Sequence, residues 1–122
     1  MGARHGQVRG KSVNQVLAKV YAAFSPADAA CLGPVERAGK SALGHEAPWL
    51  FLDGDLLRIS WEGMYFPLDE VLEALAAHLP PDARGKLDYL NLEEWTLTRH
   101  IYDGAFSAST RSLNHVLAYS GH

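Results

Sequence analysis

Cys31 and the six histidines are the side chains of this chain best suited to do chemistry. A thiolate is a nucleophile and a neutral imidazole is a base, so a Cys/His pair is the first constellation to seek. Cys31 lies in "DAACLG", an Ala-rich stretch where a cysteine packs as a small hydrophobe, and His115 is a distant base candidate. No Gly-x-Ser-x-Gly elbow occurs. The neighbouring acids Asp69/Glu70 and Glu93/Glu94 are adjacent in sequence. Adjacent residues diverge on a helix and point apart on a strand, so neither pair aims two carboxylates at one substrate.

The histidines show no His-x-x-x-His and no His-Glu-x-x-His spacing, and one cysteine cannot found a thiolate cluster. Two Gly-Lys-Ser tripeptides, at 10–12 and 39–41, suggest a phosphate loop. Its pattern needs a glycine five places before the tripeptide's glycine, where this chain has His5 and Pro34. We therefore expect no catalytic residue, no metal and no cofactor.

Two surfaces survive this sieve. The first is "WTLTRHIYDGAFSASTRS", where Arg99, His100, Ser109, Thr110 and Arg111 could gather around a small anion. With Trp95, Leu97 and Ile101 pointing inward, alternation sets Arg99 on an apolar face, where a charge must be paired, reach the rim or bind something. The loop 107–112 would also lead into a last helix, whose free N–H groups favour anions. The second surface lies in "WLFLDGDLLRISWEGMYFP", residues 49–67. Asp53-Gly54 and Glu62-Gly63 sit where two-residue hairpin loops belong, which predicts a three-stranded meander over 49–66. In that register Leu50, Leu52, Leu57, Ile59, Trp61, Met64 and Phe66 share a core face. Trp49, Phe51, Leu56, Arg58 and Tyr65 fall on the other, with Trp49 opposite Arg58 and Phe51 opposite Leu56.

The elements that must position these residues follow from periodicity. Val13, Val16, Leu17, Val20, Tyr21 and Phe24 recur at helical spacing and predict a helix over 13–24. Ser25-Pro26 opens a short helix over 26–32, ended by Gly33-Pro34. "LDEVLEALAAHL" predicts a helix over 68–79, strand candidates over 86–102 form a hairpin, and "SLNHVLAY" predicts a helix over 112–119. The fold class is α+β: one domain over 12–122, preceded by a flexible basic tail at 1–11, with a mainly antiparallel sheet of about five strands and helices on one face.

The chain has 122 residues, enough for a core without disulfides, and 48% hydrophobic with 20% charged residues is an ordinary globular mixture. A net charge of −3 argues against nucleic acid; the tail carrying Arg4, Arg9 and Lys11 reads as frayed and solvated, with an arm that folds on anionic partners as the alternative. No apolar run approaches the roughly 20 residues of a membrane span, and no secretory core opens the chain. The expected protein is soluble, cytoplasmic and non-catalytic. It acts through protein–protein contact, including self-association through the second face of the meander. A small anionic-ligand domain or enzyme built on Arg99, His100, Arg111 and the 107–112 hydroxyls is the alternative.

Overall fold

The computed structural model describes residues 15–43 and 48–114. Six strands form one antiparallel sheet: β1 (Ala18–Ser25), β2 (Leu50–Asp53), β3 (Leu56–Gly63), β4 (Arg84–Asn91), β5 (Thr96–Asp103) and β6 (Phe106–Ser112). Their spatial order is β2-β3-β1-β4-β5-β6. Two helices, α1 (Leu32–Leu43) and α2 (Leu68–His78), pack together on one face. The fold is α+β, with six strands where about five were expected. Its first four strands follow a split β-α-β plan: β3 lies between β1 and β2, and β1 between β3 and β4. The β5–β6 hairpin extends the sheet beyond β4.

The core lies between the helices and the inner sheet face. Val20, Ala22 and Phe24 of β1, Leu57 and Ile59 of β3 and Leu87 of β4 meet Val35 of α1 and Val71 and Leu75 of α2. Helix α2 forms as its periodicity predicts, with Asp69 and Glu70 in the first turn, where their charges offset the helix dipole, and His78 in the last.

The helix expected over 13–24 is instead strand β1 from Ala18 onward, and residues 13–14 lie outside the described residues. Val20, Tyr21 and Phe24 fit a helical period, but "AKVYAAFS" also alternates: Ala18, Val20, Ala22 and Phe24 are buried and Lys19, Tyr21 and Ala23 face outward. A short apolar run satisfies both periods, and here pairing to β3 and β4 on both sides decides for the strand. Gly33-Pro34 does not end a helix at 32. A short 3-10 turn, Ala29–Cys31, is capped by Asp28, whose carboxylate accepts from the Ala30 N–H at 3.1 Å. It leads into α1, whose first turn holds Pro34, where a missing N–H costs nothing.

The meander loses its third strand. Glu62-Gly63 is no turn, because β3 runs straight through it and pairs with β1, Ala18 opposite Gly63. Residues 64–67 are a connector to α2, with Phe66 buried and Met64 and Tyr65 exposed. The first hairpin turns on Gly54-Asp55, with a positive φ of 65° at Gly54. Leu50 therefore pairs with Ile59 and Phe51 with Arg58, two places along from the expected register. An even slip preserves the faces, so Leu50, Leu52, Leu57 and Ile59 still point inward.

The expected hairpin over 86–102 forms from β4 and β5, its turn held by Asn91, whose side-chain oxygen accepts from the N–H groups of Glu93 and Glu94, both at 3.0 Å. Its faces are the reverse of those expected. Thr96, Thr98, His100 and Tyr102 point to the helix side, while Leu97, Arg99 and Ile101 point outward. The buried Tyr102 fixes this orientation: it packs edge-on to Phe24 and Phe106, ring centroids 6.5 and 5.0 Å away. The loop expected over 107–112 is part of strand β6, entered through Gly104 at φ 83°. Ser112 belongs to that strand, and most of the helix expected over 112–119 lies outside the described residues. So does the basic tail at 1–11.

Candidate functional site

The outer face of the sheet faces no helix or strand among the described residues. Alternation puts Lys19, Tyr21 and Ala23 of β1 on it, with Arg58 and Ser60 of β3, Lys86 and Asp88 of β4, Leu97, Arg99 and Ile101 of β5, and Ser109 and Arg111 of β6. Tyr21 and Ile101 keep 40% and 46% of their surface exposed.

Three ion pairs cross this face. Asp88 and Arg99 stand opposite each other, and the guanidinium donates twice to the carboxylate, Nε to Oδ1 at 2.8 Å and Nη2 to Oδ2 at 3.0 Å. This hydrogen bonding raises the Arg99 pKa above its ordinary value. Arg84 and Asp103 pair at 2.8 Å. Arg58 donates to Asp53 at 2.8 Å and lies 5.0 Å from the centre of the Phe51 ring. Lys19, Lys86 and Arg111 meet no carboxylate within salt-bridge distance among the described residues.

Two hollows follow from small side chains in the weave. Ala23 sits between Arg58 and Lys86, and the dip above it, about 250 Å³, is also lined by Tyr21, Ser60 and Asp88. A second dip of about 170 Å³ is lined by Leu97, Arg99, Ser109 and Arg111.

Charge is unevenly divided. Lys19, Arg58, Arg84, Lys86, Arg99 and Arg111 are six of the eight described cations, and all lie on the outer face. It holds only Asp53, Glu62, Asp88 and Asp103 of the thirteen described carboxylates. The sheet face is thus net positive on a net negative chain, and the helix side and loops carry the acidic excess.

The five expected anion-site residues divide between faces: Arg99, Ser109 and Arg111 lie outward, His100 and Thr110 inward. They belong to paired strands, with Arg99 opposite Ser109, and the helix that follows opens only at Leu113. The inner pair does something else. Thr110 shares a hydroxyl hydrogen bond of 2.7 Å with Thr98. His100 has a buried Nε2 with no partner among the described residues, and burial lowers its pKa while Asp69 and Asp88 pull the other way. Of the expected interface residues, Phe51, Leu56 and Arg58 lie on the outer face. Tyr65 is 62% exposed, in the connector to α2. Trp49 is 5% exposed, not an outer-face residue: its ring packs edge-on to Phe66 at 5.8 Å and against Gly39 of α1, and Phe51 takes its expected place beside Arg58. Tyr21, Lys86, Leu97 and Ile101 were not anticipated here. Reading β1 as alternating would have found Tyr21.

Elsewhere the reactive groups are quiet. Cys31 is fully buried, its thiol donates to the His78 carbonyl at 3.1 Å, and burial raises its pKa. Gly39-Lys40-Ser41 is part of α1, and the other Gly-Lys-Ser tripeptide lies outside the described residues. Among the described residues no three His, Cys, Asp or Glu gather as metal ligands, and no helix is long and apolar enough to cross a membrane. Comparison with known proteins found no matching family model, curated protein or solved structure.

Proposed function

We propose that this chain is a non-catalytic binding domain that acts through protein–protein contact, with the outer sheet face as its surface and an acidic protein as its partner. The observation that carries this reading is a net cationic sheet face, left open by the described elements, with Tyr21, Phe51, Leu97 and Ile101 set among its charges. Six strands about 4.8 Å apart and about seven residues long at about 3.4 Å each offer roughly 700 Å², close to the roughly 800 Å² per partner of a standard interface. Three acids paired among the cations suit a mixed protein surface better than a bare phosphate backbone. Two copies stacked outer face to outer face would oppose cation to cation, which favours a different, acidic partner. The single buried thiol is consistent with a cytoplasmic setting.

The test is binding to a captured and purified partner. Charge reversal at the exposed Lys86 and Arg111, or Tyr21→Ser, is expected to weaken binding at least tenfold and flatten its salt dependence without moving the thermal midpoint. Unchanged affinity in all three variants overturns the reading. The hollow beside Arg111 supports a second one, a small anionic ligand held by Arg111 and Ser109. It is the weaker, since Asp88 occupies the Arg99 fork. A thermal-shift screen of phosphates, nucleotides and carboxylates decides: a hit lost in Arg111→Ala supports it.

A further inference from the structure

Among the described residues strand β6 is a long open edge. The opposite edge, β2, has four residues, and a short edge is one way proteins discourage pairing. β6 has seven residues, no proline, no inward-facing charge, and only Arg111 charged. Every residue from Ser107 to Ser112 is exposed on whichever face it points to.

The main-chain pattern shows which groups are free. The Leu113 N–H donates to the Trp95 carbonyl at 2.8 Å and the Asp103 N–H to that of Ala105 at 3.1 Å, both in the β5–β6 register. Antiparallel bonding alternates, so the odd-numbered residues of β6 bond β5. Phe106, Ala108, Thr110 and Ser112 direct their N–H and C=O groups away from the sheet; the Ser112 carbonyl is engaged by the helix that opens at Leu113, where the Ser112 Oγ accepts from the Asn114 N–H at 3.1 Å.

We propose that β6 pairs antiparallel with β6 of a second copy about a two-fold axis at Ser109, making one twelve-stranded sheet. In this register Ala108 meets Thr110 of the second copy and Phe106 meets Ser112, so the N–H groups of Ala108, Thr110 and Ser112 and the C=O groups of Phe106, Ala108 and Thr110 on each edge are bonded. Pairing centred on Ala108 instead leaves the Ser112 N–H unmatched, and an odd slip presents groups already bonded to β5. The side chains agree: Ser109 faces Ser109, Ser107 faces Arg111, and no like charges stand opposite. The occupant that matches these free groups is the edge itself. The contact is independent of the outer-face reading and leaves both outer faces open on the same side.

Two measurements test it on the full chain. Light scattering at high micromolar concentration is expected to give twice the 13.3 kDa chain mass. Ser109→Asp, which sets two carboxylates face to face at the axis yet sits beside Arg99 and Arg111 in each copy, is expected to weaken the dimer at least tenfold. Oxidation of Ser109→Cys is expected to yield a covalent dimer, because residues opposite at a non-hydrogen-bonded position lie about 4.5 Å apart at Cα, within disulfide reach. Ser107→Cys faces Arg111 and stays uncrosslinked, as does the wild type, whose only thiol is buried. A monomer at every concentration overturns the proposal. So does crosslinking at 107 equal to that at 109, or a dimer indifferent to Ser109→Asp.

Discussion

Gly85→Ala separates what local preference expects from what packing dictates. In a strand interior, alanine is favoured over glycine by about 0.5–1 kcal/mol, so sequence rules alone expect a more stable protein. Gly85 faces Phe24 across the β1–β4 pairing, and the Phe24 ring reaches past β4 to Phe106, 5.9 Å between centroids. A Cβ built on Gly85 would lie 2.7 Å from both Cα and Cδ1 of Phe24 and would also collide with the Ala23 carbonyl oxygen. Two of these atoms are backbone and cannot turn aside, so the upper end of the usual overpacking range, about 3 kcal/mol, applies. Setting the propensity gain against it leaves a net loss of about 2 kcal/mol. With a urea slope of about 2 kcal/mol per molar, the unfolding midpoint falls by about 1 M. Gly33→Ala is the matched control: its new Cβ meets only the movable Arg37 Nη1 at 3.3 Å, so it should stabilise by about 0.5 kcal/mol. The assay is urea unfolding followed by tryptophan fluorescence. A Gly85→Ala midpoint equal to or above wild type would refute the β1–β4 packing described here.

Trp49→Ala should cost about 3–5 kcal/mol, as for a buried aromatic, whereas Tyr65→Ala should stay within about 0.5 kcal/mol; the same urea assay checks both. His100 is held below its ordinary pKa of 6.5 by burial, so the unfolded chain takes up its proton first on acidification. Its contribution to stability is complete above that pH and is lost as pH falls toward the folded pKa, with a slope of at most about 1.4 kcal/mol per pH unit. His100→Gln should flatten this part of the stability–pH curve in thermal melts at a series of pH values. A double-mutant cycle on Asp88 and Arg99, both to alanine, should give a coupling of about 0.5–1 kcal/mol that shrinks in high salt, since Arg99 is partly exposed.

The sequence determined the elements whose signals are local. Helix α2 has a stripe of leucines and acids at its start, the β2–β3 hairpin has a glycine able to take positive φ, and β4–β5 has two strand runs around an Asn-led turn. Phe51, Leu56 and Arg58 were placed on the correct face because a two-residue slip in register does not change sides. Strand β6 left no readable signal: its polar, small side chains are exposed on both faces, so burial imposed no alternation.

Tertiary structure decided the rest, where one pattern allowed two outcomes. Val20, Tyr21 and Phe24 suit a helix stripe or a strand, and only neighbours on both sides, more than thirty residues away in sequence, make β1 a central strand. That choice displaced the expected third meander strand and brought Tyr21 beside Lys86. The faces of β5 were set by Tyr102, which finds Phe24 on the helix side, and not by the greater apolar count of Leu97 and Ile101. Arg99 and His100, neighbours in the chain, were parted by the pleat. Sequence periodicity records which residues share a side, but which side is buried depends on what packs there, and that is a property of the assembled sheet.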